Sequence, residues 1–208
     1  QKGLPKKGDK IIILGGDNYR IGMGGAAVSS SDTGAFGSII ELNAVQRSNP
    51  EMQKRVANTI RSLVESNQNP IISIHDHGAG GHLNCLSELV EDTGGMIEID
   101  QLPLGDPTLS VKEIVGNESQ ERMGLILSSE DANRLKKIAE RERAPFYVVG
   151  EVTNDHHFSF YSKKTNEMPI DLEISALFGS SPKTIMKDNI INNEYIELAY
   201  TQEEIKNY

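Results

Sequence analysis

Apolar positions recur along this chain either as short unbroken runs or at helical spacing. Lys10-Ile11-Ile12-Ile13-Leu14 is a β-branched run stopped by Gly15-Gly16, and it predicts a strand entering a loop. Met52, Val56, Ile60, Leu63 and Val64 then fall on one helical face. Asn49-Pro50-Glu51 ahead of them supplies an N-cap, a proline at the first helical position and an acid in the first turn. Ser66 to Pro70 ends that helix and leads into Ile71-Ile72-Ser73-Ile74, which predicts a buried central strand. That strand runs into His75-Asp76-His77-Gly78-Ala79-Gly80-Gly81, after which Leu83, Leu86, Leu89 and Val90 repeat at helical spacing.

Met96 to Asp100 alternates as a half-buried strand does. Ser110 with Glu113 three residues on is a capping box, opening a short helix to about Val115. Gly116 to Arg122 is dense in polar groups and reads as a solvated loop before the apolar strand Met123–Leu127. Ser128 to Arg143 predicts a helix with Leu135, Ile138 and Ala139 inward. Phe146–Val149 and His157–Tyr161 predict strands around a turn at Asn154-Asp155, and Leu172–Phe178 a last short helix. From Lys183 the chain is polar and Asn-rich, so residues 1–183 are read as the domain and 184–208 as a linker toward a following domain. Strands interleave with helices, yet the last two strands are neighbours in sequence. This predicts a mixed α+β or α/β layered domain, not a purely doubly wound one.

Composition narrows the partners. The 208 residues suffice for one sizeable domain, and 21 Lys and Arg against 30 Asp and Glu give a net charge of −9. With no basic block, nucleic acid is not an expected partner, and a small molecule or another protein is. One cysteine and no membrane-length apolar run predict a cytoplasmic protein that does not meet the membrane. Cys85 lies on the apolar face of its helix, where a packing role is expected, and no Cys/His set has metal-ligand spacing. The chain opens at Gln1 without an initiator Met and stops in a charged segment, which reads as a piece of something longer.

Two glycine segments carry candidate chemistry. At residues 75–81 a strand, a glycine loop and a helix N-terminus would present N–H groups to an anion, and Asp76 adds a carboxylate suited to a hard cation bridging to phosphate. The same pattern also describes a tight turn with a solvated Asp. Gly22, Gly24 and Ala27 match G-x-G-x-x-A in form only, because Asp17–Ile21 separate them from the strand and a serine run follows. A flexible loop and a backbone cradle for phosphate both remain open for Gly22–Ser31.

Three segments, in order, resemble one family. Ala44-Val45-Gln46-Arg47-Ser48-Asn49-Pro50-Glu51-Met52, then His75 to Gly81, then Asn117-Glu118-Ser119-Gln120-Glu121-Arg122 are similar to motifs of phosphoribosylformylglycinamidine synthase in its long, single-chain form. Gly22–Ser30, Glu140–Pro145 and Pro169–Leu172 support the likeness, which runs from about Gly15 to Lys183. The resemblance implies the first of two domains like the C-terminal domain of aminoimidazole ribonucleotide synthetase, a three-layer α/β/α structure with a ferredoxin-like element. It implies an ATP- and glutamine-dependent C–N ligase of purine biosynthesis. ATP activates the formamide oxygen of formylglycinamide ribonucleotide, and ammonia from a glutaminase domain displaces phosphate.

By resemblance, Gln46, Glu118, Ser119 and Gln120 match positions that bind the ribonucleotide, and Asp76 matches a Mg²⁺ ligand. The family's ATP cradle, catalytic histidine and glutaminase cysteine match nothing in this segment. ATP is thus expected to bind mainly outside it, the chain alone is expected to be inactive, and its partners are neighbouring synthetase and glutaminase domains. His75 and His77 are expected to be structural or supporting. Arg122 is expected either to reach a phosphate or to pair with a neighbouring buried carboxylate. The alternatives are a non-catalytic scaffold domain of the same enzyme, or a relative such as thiamine-monophosphate kinase or selenophosphate synthetase. Having Gln46, Asp76 and Glu118–Gln120 together speaks against the first, and the Asn117–Arg122 motif against the second.

Overall fold

Ile11, Ile12, Ile13 and Leu14 have no exposed surface, because strand β1 (Lys10–Leu14) lies inside a sheet covered on both faces. A strand buried on both sides has no polar face to alternate with, which is why its sequence is an unbroken apolar run. The computed structural model describes residues 3–44, 48–179, 184–190, 194–195 and 199–206. After β1 come α1 (Gly25–Ser29), α2 (Ser38–Ala44), α3 (Pro50–Val64), β2 (Ser73–His77), α4 (Gly81–Leu89) and β3 (Gly95–Glu98). A 3-10 turn (Ile99–Gln101) follows, then α5 (Val111–Val115), β4 (Ser119–Leu127), α6 (Ser129–Glu142) and β5 (Phe146–Val152). β6 (His157–Ser162), β7 (Glu167–Glu173), α7 (Ile174–Phe178) and α8 (Gln202–Ile205) complete the described chain.

The sheet order is β2-β4-β1-β5-β3-β6-β7, antiparallel throughout except for the parallel pair β3–β6. Taken alone, β1-α3-β2 and β4-α6-β5 form a βαββαβ unit whose strands lie side by side as second, third, first and fourth. That is the ferredoxin-like arrangement. Residues 78–118, inserted between β2 and β4, carry α4 and α5 and supply β3 as a fifth strand.

Two apolar layers follow from the strand pleat. Ile12, Leu14, Leu125 and Leu127 meet Val56 and Leu63 of α3 and Ala132, Leu135 and Ala139 of α6. Ile11, Ile13 and Ile126 meet Cys85, Leu86 and Leu89 of α4 and Ile114 and Val115 of α5 on the opposite face. The domain is a three-layer α/β/α structure. Helix starts follow local chemistry: Asn49 Oδ1 accepts the Met52 N–H at 3.1 Å, and Ser110 and Glu113 form both bonds of a capping box.

Several expectations need correcting. The strand expected at 71–74 starts at Ser73 and lies at the sheet edge, not its centre. Ile71 and Ile72 precede it, each packed against a different apolar layer. The strands on either side of Asn154-Asp155 are not neighbours, since β3 lies between them. Leu172 belongs to β7, an exposed edge strand containing Pro169, and the helix begins only at Ile174. The segment read as a solvated loop instead buries Asn117, Glu118 and Arg122, and β4 begins at Ser119. Residues 184–190 are exposed and in neither helix nor strand, while the boundary drawn at 183 falls outside the described residues. Among the described residues, no helix is long and apolar enough to cross a membrane.

Candidate functional site

Antiparallel pairing of β4 with both β1 and β2 brings three chain segments to one end of the sheet. These are the loop leaving β1, the glycine loop leaving β2 and the residues entering β4. Asn117 fastens the first of them. Its Nδ2 donates to the carbonyls of Tyr19 (2.7 Å) and Ile21 (2.8 Å), and its Oδ1 accepts from both terminal nitrogens of Arg122 (3.3 Å each). Arg122 is only 1 % exposed and donates further to the carbonyls of Gly16 (3.1 Å) and Asp17 (3.2 Å). Among the described residues its acceptors are carbonyls and the Asn117 amide, so the expected pair with a buried carboxylate is not the arrangement seen. It serves instead as a buried cation held by neutral acceptors. Burial brings its guanidinium down to about 10, which leaves it charged at neutral pH.

Glu118 joins the two glycine segments. Its carboxylate, 4 % exposed, accepts the N–H of Ala26 in α1 (3.0 Å) and of Gly80 ahead of α4 (3.1 Å). A negative charge at these N-termini is favourable for the reason an external anion would be. Two junction N–H groups expected to be open to an anion are therefore engaged from within: Gly80 by Glu118, and Gly81 by the Gly78 carbonyl at 3.0 Å. Gly22–Ser31 is likewise not a wholly flexible loop, since it contains α1. Glycine is required at two of these positions. A Cβ on Gly25 would sit 2.6 Å from the Ala44 carbonyl oxygen, and one on Gly81 would sit 2.5 Å from that of Asn117.

Beneath the loops lie two histidines. His77 Nδ1 donates to the Arg122 carbonyl (3.3 Å), and His82 Nε2 lies 3.0 Å from Asn18 Oδ1 and 3.3 Å from Arg122 Nη1. Burial, and after it the Arg122 charge, pushes both well below the ordinary histidine value, so both rings are neutral. Their rings meet edge to face at 4.7 Å. His75 instead donates to the Asp76 carbonyl (2.8 Å) and meets Glu88 at 2.6 Å. Cys85 is buried in α4, where burial pushes its thiol up, as suits a packing residue.

Over this cluster opens a cleft of about 230 Å³ lined by Gly16, Asp17, Tyr19, Asn49, Ser119 and Glu121 among others. Tyr147 donates to Asp17 (3.0 Å) at its edge, and burial followed by that bond pushes the phenol up to about 12. Glu118 and Ser119 both line the cleft, while Gln120 is exposed on β4. Gln46 lies outside the described residues. Asp76 is exposed and is not among the lining residues, because the pleat turns it away from the face that carries His75 and His77. Among the described residues no three His, Cys, Asp or Glu side chains group as a metal cage. Mg²⁺ commonly takes one or two protein carboxylates with phosphate oxygens and water, and a single accessible Asp at a strand end fits that pattern.

Asn18 and His82 were missed from the sequence. His82 had a signal: at three and four residues before Cys85 and Leu86 it occupies the inward face of α4. A polar residue at an inward spacing needs a buried partner.

Fold and site together define a class. Residues 6–163 match the family described as AIR synthase related protein, C-terminal domain, and the chain belongs to that family. Within it the chain is similar to Thermotoga maritima PurL complexed with FGAR, at 26% identity and TM-score 0.77 over 95% of this chain and 32% of that one. It also shares the fold of phosphoribosylformylglycinamidine synthase II from the same organism (24% identity, TM-score 0.70, 95% of this chain and 30% of that one). Thiamine-monophosphate kinase from Stenotrophomonas maltophilia K279a is a more distant fold relative (12% identity, TM-score 0.51, 77% and 52% covered). The chain spans about a third of the length of the PurL structures it matches.

Proposed function

We propose that this chain is the ribonucleotide-binding part of a cytoplasmic, glutamine-dependent ligase that converts formylglycinamide ribonucleotide to its amidine. The observation that carries the reading is its likeness, over 95% of its length, to a PurL solved in complex with FGAR. In this reading residues 1–183 form the binding domain, 184–208 lead toward another domain, and neighbouring synthetase and glutaminase domains provide most of the ATP site and the ammonia.

The Ser119 hydroxyl and the Gln120 amide can each donate and accept, which suits ribose hydroxyls and a formamide. Gln46 would add a second amide. Glu118 holds both glycine segments, and a ligand hydroxyl would be a further donor to its carboxylate. Mg²⁺, held in part by Asp76, would offset phosphate charge. Asp17 and Glu121 line the cleft while the Arg122 guanidinium is turned to backbone carbonyls, so this wall favours the neutral, hydroxyl- and amide-bearing part of a ligand.

The test is kinetic. In the complete enzyme Ser119→Ala and Gln120→Ala should each raise KM for the ribonucleotide by about twofold to tenfold, the worth of one neutral hydrogen bond, without lowering the melting temperature. The chain by itself should form no amidine. Wild-type KM in Ser119→Ala would remove the cleft from the substrate site, and wild-type KM in Gln120→Ala would remove the Gln120 contact from the reading.

A further inference from the structure

We propose that His82 is a positioning residue for the cleft: its Nε2–H holds Asn18, and through Asn18 the loop that forms one cleft wall. The inference rests on reading the cleft as the ribonucleotide site. Asn18 is fully buried, and its Nδ2 donates to the Pro103 carbonyl at 2.7 Å. Its Oδ1 is left to accept, which places the proton of the neutral His82 ring on Nε2. Among the described residues His82 Nδ1 has no hydrogen-bond partner, as expected of the bare nitrogen of that tautomer.

Asn18 is the tie-point of the wall. Its backbone N–H donates to Pro103 O (2.9 Å), and its carbonyl accepts from Gly105 (2.9 Å) and Asp106 (3.1 Å). Its chain neighbours Asp17 and Tyr19 both line the cleft. His82 itself directly follows Gly80, which Glu118 holds, and Gly81, which packs on Asn117. One imidazole therefore locks the loop after β1 to the loop after β2, while Arg122 holds the third segment through Asn117, whose carbonyl (3.4 Å) and Oδ1 (3.3 Å) accept from its Nη1. A residue that only filled space would need no such directed bond.

Kinetics in the complete enzyme and amide hydrogen exchange test this together. His82→Leu keeps the bulk and removes the donor. It should raise KM for the ribonucleotide about tenfold, leave kcat unchanged and speed exchange at Asn18, Gly105 and Asp106. His82→Gln, whose amide can donate to Asn18, should restore most of the lost affinity. Wild-type KM and exchange in His82→Leu, even with a lowered melting temperature, would overturn the proposal. If His82→Leu does not fold, Asn18→Ser breaks the same bond from the loop side, and the same increase or its absence decides. If the wild-type enzyme ignores the ribonucleotide, the proposed function falls, and exchange alone judges His82: faster exchange upholds positioning, unchanged exchange overturns it.

Discussion

Two buried regions of this domain, only a few residues apart along β1 and β4, are held together in different ways. Between the sheet and helices α3 and α6, Leu14, Leu63, Leu125 and Leu135 meet with no polar side chain required. At the strand ends, Asn18, Asn117, Glu118, Arg122, His77 and His82 are just as buried, and nearly every bond is directed at a particular carbonyl or N–H. Apolar burial is non-directional and scales with area, so its members can be exchanged for others of similar volume. A buried polar group gains little when paired and costs much when its partner is removed. The first region can thus drift in sequence while the second cannot change one member alone.

The sharpest test of that contrast is Arg122→Met. It keeps much of the stem but abandons the Gly16 and Asp17 carbonyls and Asn117 Oδ1. The expected loss is roughly 3–5 kcal/mol in urea denaturation, as when one member of a buried charged network is removed. A loss below about 1 kcal/mol would mean that water replaces the guanidinium and that the cluster is not closed.

Acid should separate the regions next. His77 and His82 have folded values lowered by burial and by Arg122, so between those values and about 6.5 the unfolded chain binds more protons. Their stabilising effect is complete above about pH 6.5 and is lost as pH falls through that window. The slope should approach about 1.4 kcal/mol per pH unit for each histidine. A denaturation series from pH 7.5 to 5 that shows flat stability would contradict neutral rings beside Arg122.

The smallest effect belongs to the apolar side. Leu135→Met, at a position with no exposed surface, should cost less than about 1.5 kcal/mol by the same denaturation assay. A larger loss would show that this layer, too, is a close-fitted arrangement and would blur the comparison.

The same contrast explains what could be read in the sequence. β1, α3, α4 and α6 were legible because apolar spacing and caps such as Asn49 and Ser110 are local signals. The edge position of β2 was not, since periodicity reports which face of a strand is buried and says nothing of its neighbours. β7 escaped because an exposed edge strand has no apolar alternation to reveal it, and Leu172 was counted toward a helix. The polar cluster has the composition of a loop, and composition alone predicts one. Only partners about a hundred positions distant, such as Gly16 for Arg122, turn it into interior. Resemblance points to Glu118, Ser119 and Gln120. It could not say that Glu118 faces inward onto two glycine segments while Gln120 faces out.

The place of β1 in the sheet also bears on how the chain reaches its fold. Lys10 pairs with Leu127 on one side and Glu151 on the other, so both partners of this strand lie more than half the chain away. Pairings this distant form late and slowly. During synthesis from the N-terminus, Ile11–Leu14 must wait unpaired while α3, α4 and the inserted segment emerge. An uncharged β-branched run in that state can pair with another nascent chain. Lys6, Lys7, Asp9 and Lys10 stand immediately ahead of it, and charges in that position act as gatekeepers against such association. The same charges thus act twice: they guard the unfinished polypeptide before β4 and β5 exist, and Lys10 then pairs with Glu151 of β5 at 2.8 Å.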